Sequence, residues 1–208
     1  MFTGIVAAVG RITHIEALGD ALAGVRLNIE RGALSLDDVQ LGDSIAINGA
    51  CMTVTAKDAA AFKVDVSRES LRCTVGLDQP GEVNLEKALT LADRLGGHLV
   101  SGHVDGIGKV VRFEPTGESW TLVVRAPAAL GKYLAFKGSV TINGVSLTVN
   151  SVEDLADGTD ISINLIPHTI LATSLKHLKP GSGVNLEIDL LARYCERILT
   201  ASGGGKPL

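Results

Sequence analysis

The apolar residues of this chain fall mostly at every second position, in short runs broken by turn residues. Phe62-Lys63-Val64-Asp65-Val66 alternates strictly, and Asp160-Ile161-Ser162-Ile163-Asn164-Leu165 keeps the same rhythm. A period of two is that of a strand with one face buried. Ser44 to Asn48, Met52 to Thr55, Trp120 to Val124 and Gly138 to Ile142 are β-branched and roughly alternating, and read as further strands. Asn48-Gly49 between two of them is a hairpin signal. The intervals are too short for parallel crossovers, so the strands pair antiparallel. Many short strands joined by Gly-rich turns predict an all-β architecture of barrels or sandwiches, and a closed barrel leaves no exposed edge.

Helical spacing is confined to a few places. Glu69 to Val75 and Thr169 to His177 read as short helices. Leu85 to Leu95, ending at Gly96-Gly97, reads as the inter-domain connection, with glycine suited to a helix C-cap. From Leu190 to Thr200, the residues Leu191, Tyr194, Cys195, Ile198 and Leu199 recur at i, i+3, i+4, i+7 and i+8, one face of a helix. That face can pack on its own barrel or on another subunit, with assembly slightly favoured. The Gly-rich tail after it is expected to be disordered.

The same pattern occurs twice. Ile47-Asn48-Gly49-Ala50-Cys51-Met52-Thr53-Val54 returns as Ile142-Asn143-Gly144-Val145-Ser146-Leu147-Thr148-Val149. Phe2-Thr3-Gly4-Ile5-Val6 matches Val100-Ser101-Gly102-His103-Val104, and Ser70 to Thr74 matches Thr169 to Thr173. Val83-Asn84-Leu85-Glu86 matches Val184-Asn185-Leu186-Glu187. The separation drifts only from 95 (48 to 143) to 101 (83 to 184), as small loop insertions would produce. A repeat this long is a domain rather than a solenoid layer. The expected division is therefore 1–97, 98–188, a helix over 189–200 and a tail over 201–208.

Composition removes several function classes. Net charge is −4 and the isoelectric point about 5.7, with no basic stripe to take a nucleic acid. No apolar run approaches the roughly 20 residues that span a bilayer, and the N-terminus does not read as a signal peptide. Cys51, Cys73 and Cys195 are odd in number and widely spaced, which suits free thiols in a reducing cytoplasm.

The duplication makes its own exceptions the candidates for chemistry. Cys51 in the first copy is Ser146 in the second, and Ile5 is His103. Taken alone, Cys51 is better read as a small buried hydrophobe than as a nucleophile, because no flanking His lowers its pKa. With Ser146 in the equivalent place, two related pockets would carry a thiol and a hydroxyl. Thr53 and Thr148, two residues on, share their faces. His98 and His103 stand at H-x4-H spacing without the Cys or carboxylate partners a metal site needs. Asp189, two residues past Glu187, reads as a helix-start acid.

These motifs together resemble the riboflavin synthase family of the alpha-chain type. The resemblance rests on Met1-Phe2-Thr3-Gly4-Ile5-Val6, Asn48-Gly49-x-Cys51-x-Thr53-Val54, Gly96-Gly97-His98-Leu99-Val100-Ser101-Gly102-His103-Val104, Gly144 to Val149, and Leu165-Ile166-Pro167-His168-Thr169. It implies two six-stranded Greek-key barrels with a C-terminal helix, assembled through that helix as a homotrimer. The implied reaction is a dismutation of two 6,7-dimethyl-8-ribityllumazine molecules. One donates four carbons to the other, giving riboflavin and 5-amino-6-ribitylamino-uracil, without cofactor or metal. The implied site lies between the N-barrel of one subunit and the C-barrel of its neighbour; docking into a lumazine synthase shell is left open.

By position, the resemblance implies an N-barrel pocket of Gly4, Ile5, Val6, Cys51, Met52, Thr53, Asp65, Val66, Ser67, Arg68, Glu69 and Ser70. The implied C-barrel pocket comprises Gly102, His103, Val104, Lys137, Ser146, Leu147, Thr148, Asn164, Leu165, Ile166, Pro167, His168 and Thr169. His168 stands where some relatives carry Glu, and Ala50 where some carry a second Cys. Cys51, His103, Ser146 and Asp189 are the expected catalytic groups, with Ser146 oriented by Asp189 and assisted by His103. The rival readings are a non-catalytic lumazine- or flavin-binding antenna protein and a flavin-dependent reductase; the second would need a nucleotide-binding domain.

Overall fold

The computed structural model describes residues 1–19 and 23–202. The N-terminal half contains β1 (Ala8–Ala17), β2 (Val25–Glu30), β3 (Ser44–Ile47), β4 (Ala50–Lys57), β5 (Ala61–Val66), α1 (Arg68–Cys73) and β6 (Gly81–Lys87). The C-terminal half repeats this as β7 (Gly106–Thr116), β8 (Ser119–Ala126), the short α2 (Ala128–Gly131), β9 (Ser139–Ile142), β10 (Val145–Leu155), β11 (Gly158–Leu165), α3 (Pro167–Ala172) and β12 (Gly183–Ile188). The helix α4 (Leu190–Ser202) follows. The strands close into two antiparallel barrels, in the order β1-β2-β5-β4-β3-β6 and its counterpart β7-β8-β11-β10-β9-β12.

Alternation along each strand decides which residues fill the barrels. In β4, Met52 and Val54 point into the first core while Cys51 and Thr53 face outward; in β10, Leu147 and Val149 point in and Ser146 and Thr148 out. Bulges bend the first and fourth strands of both barrels at matching places, Ile12/His14 with Val110/Arg112 and Val54/Ala56 with Val149/Ser151. A bulge adds the local bend that a small barrel needs to close.

The two hairpin turns meet back to back. Asn48 and Asn143 take φ of 46° and 49°, with left-handed Gly49 and Gly144 after them, as a two-residue primed turn requires. Asn84 donates its side-chain N–H to the Asn143 carbonyl (2.9 Å), and Asn185 donates to that of Asn48 (2.9 Å). Asn84 and Asn185 are almost fully buried, so this crossed pairing supplies partners the joint would otherwise lack.

The helical expectations needed adjustment. The helices end at Cys73 and Ala172, because Thr74 and Thr173 are extended and their hydroxyls donate back to the carbonyls of Ser70 and Thr169 (2.7 Å each). A separate 3₁₀ turn covers Ser174–His177. Leu85 to Lys87 finish β6, and residues 88–99 contain no helix. Gly97 therefore caps nothing. It lets the chain pass the Thr3 carbonyl, which a Cβ at this position would meet at 2.1 Å. The terminal helix runs to Ser202; the expected tail otherwise falls outside the described residues. Among the described residues, no helix is long and apolar enough to cross a membrane.

Candidate functional site

Each barrel sends a short arm to its neighbour. Phe2 and Thr3 run antiparallel to residues 98–100 through the Phe2–Val100 bridge. The Gly4 carbonyl then accepts the Ser146 N–H (2.7 Å), and the Gly102 carbonyl accepts the Cys51 N–H (2.8 Å). Val6 packs on the C-barrel core and Val104 on the N-barrel core. The two arms are thus exchanged relative to the expectation. Gly4, Ile5 and Val6 belong beside Ser146, and Gly102, His103 and Val104 beside Cys51. The repeat fixes which residues are equivalent but not that the arms cross the joint, which is why sequence placed them on their own barrels.

The N-barrel cleft, about 200 Å³, is lined by Cys51, Met52, Glu69, Ser70 and Cys73, with His103 and Val104 from the opposite arm. Ser67 caps α1 by accepting the Ser70 N–H (3.0 Å), which aims the helix start at the cleft. Glu69 is held down to about 2 by Arg72, with a further bond from the Cys73 thiol, so it is a carboxylate. That bond raises the Cys73 thiol and keeps it protonated. Cys51 is half-buried against Phe2, Ala46 and Val100. Asp65 is taken by a bidentate pair with Arg26 (2.7 and 2.9 Å), and Val66 lies in the core. Thr53 and Arg68 are exposed.

On the C-barrel, Ser146 is backed by His98, which the sequence reading weighed only as a metal ligand. His98 Nδ1 lies 2.7 Å from the Ser146 Oγ. The imidazole is buried, and its Nε2 has no hydrogen-bond partner among the described residues. Burial lowers the His98 pKa, opposed by the charge of Asp189, so the ring is neutral. His103 is therefore not the partner of Ser146. Asp189 starts α4: its Oδ1 accepts the Leu191 N–H (2.9 Å), and its charge acts on His98. The signal for His98 was available, since it lies in the Gly96-to-Val104 motif that opens the second repeat.

The remaining expected residues belong to the C-barrel. Ile166, Pro167 and His168 are exposed around the start of α3, Thr169 is half-buried, and Leu165 and Leu147 turn into the core. Asn164 accepts from the Ser119 hydroxyl (2.6 Å). Lys137, left-handed at φ 63°, reaches the Asn150 side chain (3.1 Å). Thr148 is exposed. A cavity of about 800 Å³ lies along the connection between Asp38, Lys87 and Arg94 and shares only Ile5 with the expected residues. Ser146, His98 and the Gly4 arm converge away from that cavity.

The lumazine binding domain family matches the chain twice, over residues 3–88 and 101–189. The riboflavin synthase of Photobacterium phosphoreum is 43% identical over 96% of this chain and 89% of its own length. That of Bacillus subtilis is 39% identical over 99% of this chain and 93% of its own. Among solved structures, LumP complexed with riboflavin superposes with a TM-score of 0.77 at 26% identity, covering 90% of this chain and 99% of that one. LumP complexed with 6,7-dimethyl-8-(1'-D-ribityl) lumazine gives 0.75 at 25%, with the same coverage. Two lumazine-binding repeats and near-full-length identity to those enzymes mean that the chain belongs to the riboflavin synthase family.

Proposed function

We propose that the protein catalyses the dismutation of two 6,7-dimethyl-8-ribityllumazine molecules into riboflavin and 5-amino-6-ribitylamino-uracil, one bound at each barrel. The observation that carries this reading is a pair of equivalent sites with unequal chemistry: Ser146 on a neutral imidazole in one, Cys51 beside His103 in the other. The reaction uses one substrate in two roles, so it needs one shape twice with different proton handling. The lumazine at the C-barrel loses a proton from its 7-methyl group. Ser146 relays that proton, and neutral His98 is placed to receive it. The resulting carbon nucleophile attacks the second lumazine at its 6,7-carbons, with Cys51 and His103 on the acceptor side. Four carbons pass between rings and no external oxidant is consumed. Holding two rings face to face supplies much of the acceleration, up to about 7–11 kcal/mol when alignment is good.

The N-barrel cleft is smaller than the roughly 300 Å³ at which ligand sites begin, and it opens to solvent. A neighbouring subunit is the natural other wall. Leu191, Tyr194, Ile198 and Leu199 of α4 are each at least 60% exposed, an apolar face suited to assembling a homotrimer that brings an N-barrel against a C-barrel. The test is incubation of the purified protein with the lumazine and no additive, followed by riboflavin absorbance. Riboflavin formation is expected. Tight lumazine binding without product would select the antenna-type reading instead.

A further inference from the structure

The arms beside Ser146 and Cys51 are not strands, so their backbone N–H groups need acceptors from elsewhere. One buried carboxylate meets the need on each side. Glu86, in β6, accepts from the Thr3 N–H (2.6 Å), the Thr3 hydroxyl (2.7 Å) and the Gly4 N–H (3.0 Å). Glu187, in β12, accepts from the Ser101 N–H (2.7 Å), the Ser101 hydroxyl (2.6 Å) and the Gly102 N–H (3.0 Å). Both side chains are more than nine-tenths buried. Burial raises both pKa values, so the protein tolerates two desolvated acids in places where an amide would be easier to bury. Only a carboxylate offers two acceptor oxygens at one point; glutamine would offer one and turn an NH₂ toward donors.

Each arm then continues into the other barrel. The carbonyl of Gly4, whose N–H Glu86 holds, is the acceptor for Ser146. The carbonyl of Gly102, whose N–H Glu187 holds, is the acceptor for Cys51, and His103 is the next residue. We propose that Glu86 and Glu187 are crossed positioning residues: each, in the last strand of one barrel, fixes the arm that completes the substrate cleft of the other. The functional half of this statement rests on the reading of those clefts as lumazine sites. The sequence already displayed the pair, as the repeated Val-Asn-Leu-Glu block, without saying which barrel each glutamate serves.

Amide hydrogen exchange read residue by residue, without ligand, tests the crossing directly. Glu86→Gln is expected to speed exchange at Ser146 by about tenfold or more and leave Cys51 within about twofold, as loss of a charge-assisted bond of ~1.5–3 kcal/mol predicts. Glu187→Gln is expected to do the reverse. Where a glutamine variant does not fold, Thr3→Val and Ser101→Ala remove the hydroxyl contact alone and should show the same crossed pattern more weakly, with Thr3→Ser restoring Ser146. Equal acceleration at both amides, or acceleration confined to the variant's own barrel, overturns the proposal. Titrating the same variants with the lumazine tests the second half: Glu86→Gln should weaken binding at the C-barrel and Glu187→Gln at the N-barrel. A crossed exchange pattern with both affinities unchanged overturns the positioning role. If the unaltered protein itself fails to bind the lumazine, the functional reading fails, while exchange still decides the clasp.

Discussion

The surroundings of Cys51 on the N-barrel and Ser146 on the C-barrel share a backbone and differ in what stands on it. Both have an outward-facing polar residue at the second position of the fourth strand, an arm from the other barrel, and a short helix ended by a threonine. One then carries a thiol, an ionised Glu69 and a solvent-exposed His103; the other carries a hydroxyl on a buried imidazole. The inward residues beside them, Met52 and Val54 against Leu147 and Val149, stay apolar because each fills a core. Changing an inward residue costs a cavity or an overlap, whereas an outward one can change without repacking. Divergence after duplication is therefore cheapest at Cys51 and Ser146, and that is where the two halves part.

If the inequality is functional, the two outward positions should fail unequally. Ser146→Ala is expected to lower turnover by ~10²–10⁴-fold, the range for loss of a proton-transfer group. Cys51→Ala, on the acceptor side, should lose about tenfold, with the loss weighted toward substrate affinity. Steady-state kinetics on both variants decides it. Equal losses would remove the donor–acceptor distinction, and an unchanged Ser146→Ala enzyme would remove Ser146 from the chemistry.

A second pair of substitutions tests the crossing of the arms through sterics rather than charge. Gly4 and Gly102 have φ of 75° and 78°, and a Cβ on each would fall 2.6 Å from the Ser146 Cβ and 2.7 Å from the Cys51 Cβ. Gly4→Ala and Gly102→Ala should each cost ~1–3 kcal/mol in urea unfolding, from left-handed strain and overlap. The functional damage should be crossed: Gly4→Ala on the Ser146 side, Gly102→Ala on the Cys51 side. Damage confined to each glycine's own barrel would contradict the observed arm exchange.

Much of this was legible from sequence because the signals are local. Alternation at Phe62 to Val66 and Asp160 to Leu165 gave strands that the structure places almost to the residue, and Asn48-Gly49 gave its turn. The i, i+3, i+4 face of Leu191 to Leu199 gave the last helix. The stop at Thr173 was missed because its signal is a hydroxyl bond back along the chain, which apolar spacing does not encode. Gly96-Gly97 suggested a helix C-cap after Leu95, yet Leu91 is fully exposed and the segment folds as turns, with Asp93 accepting from Thr90 (2.7 Å). At the candidate site, sequence could rank residues by their divergence between copies but could not pair them. Pairing Ser146 with His98, and His103 with Cys51, depends on two arms crossing a joint, and that is a property of the closed barrels, not of any stretch of chain.

The protonation of His98, behind Ser146, predicts the smallest effect. His98 is lowered from 6.5 by burial, with Asp189 opposing. Above 6.5 the imidazole is neutral whether the chain is folded or not, and contributes nothing to the pH dependence of stability. Below 6.5 the unfolded chain binds the proton first, so stability falls as pH drops from 6.5 toward the folded value. Glu86 and Glu187 have the opposite sign: their raised folded values mean stability is lost as pH rises above the ordinary carboxylate range. Both glutamates are present in a His98→Gln variant and cancel when it is compared with the unaltered protein. The difference in urea midpoint between the two should therefore narrow as pH falls from 6.5 to about 5, because only the unaltered protein loses the neutral-histidine contribution. The same variant should lose the acid limb of the turnover profile that His98 imposes on Ser146, while Cys51→Ala should keep it. Parallel pH curves for the two proteins would mean that His98 titrates like a solvent imidazole, and Ser146 would then have no neutral base behind it.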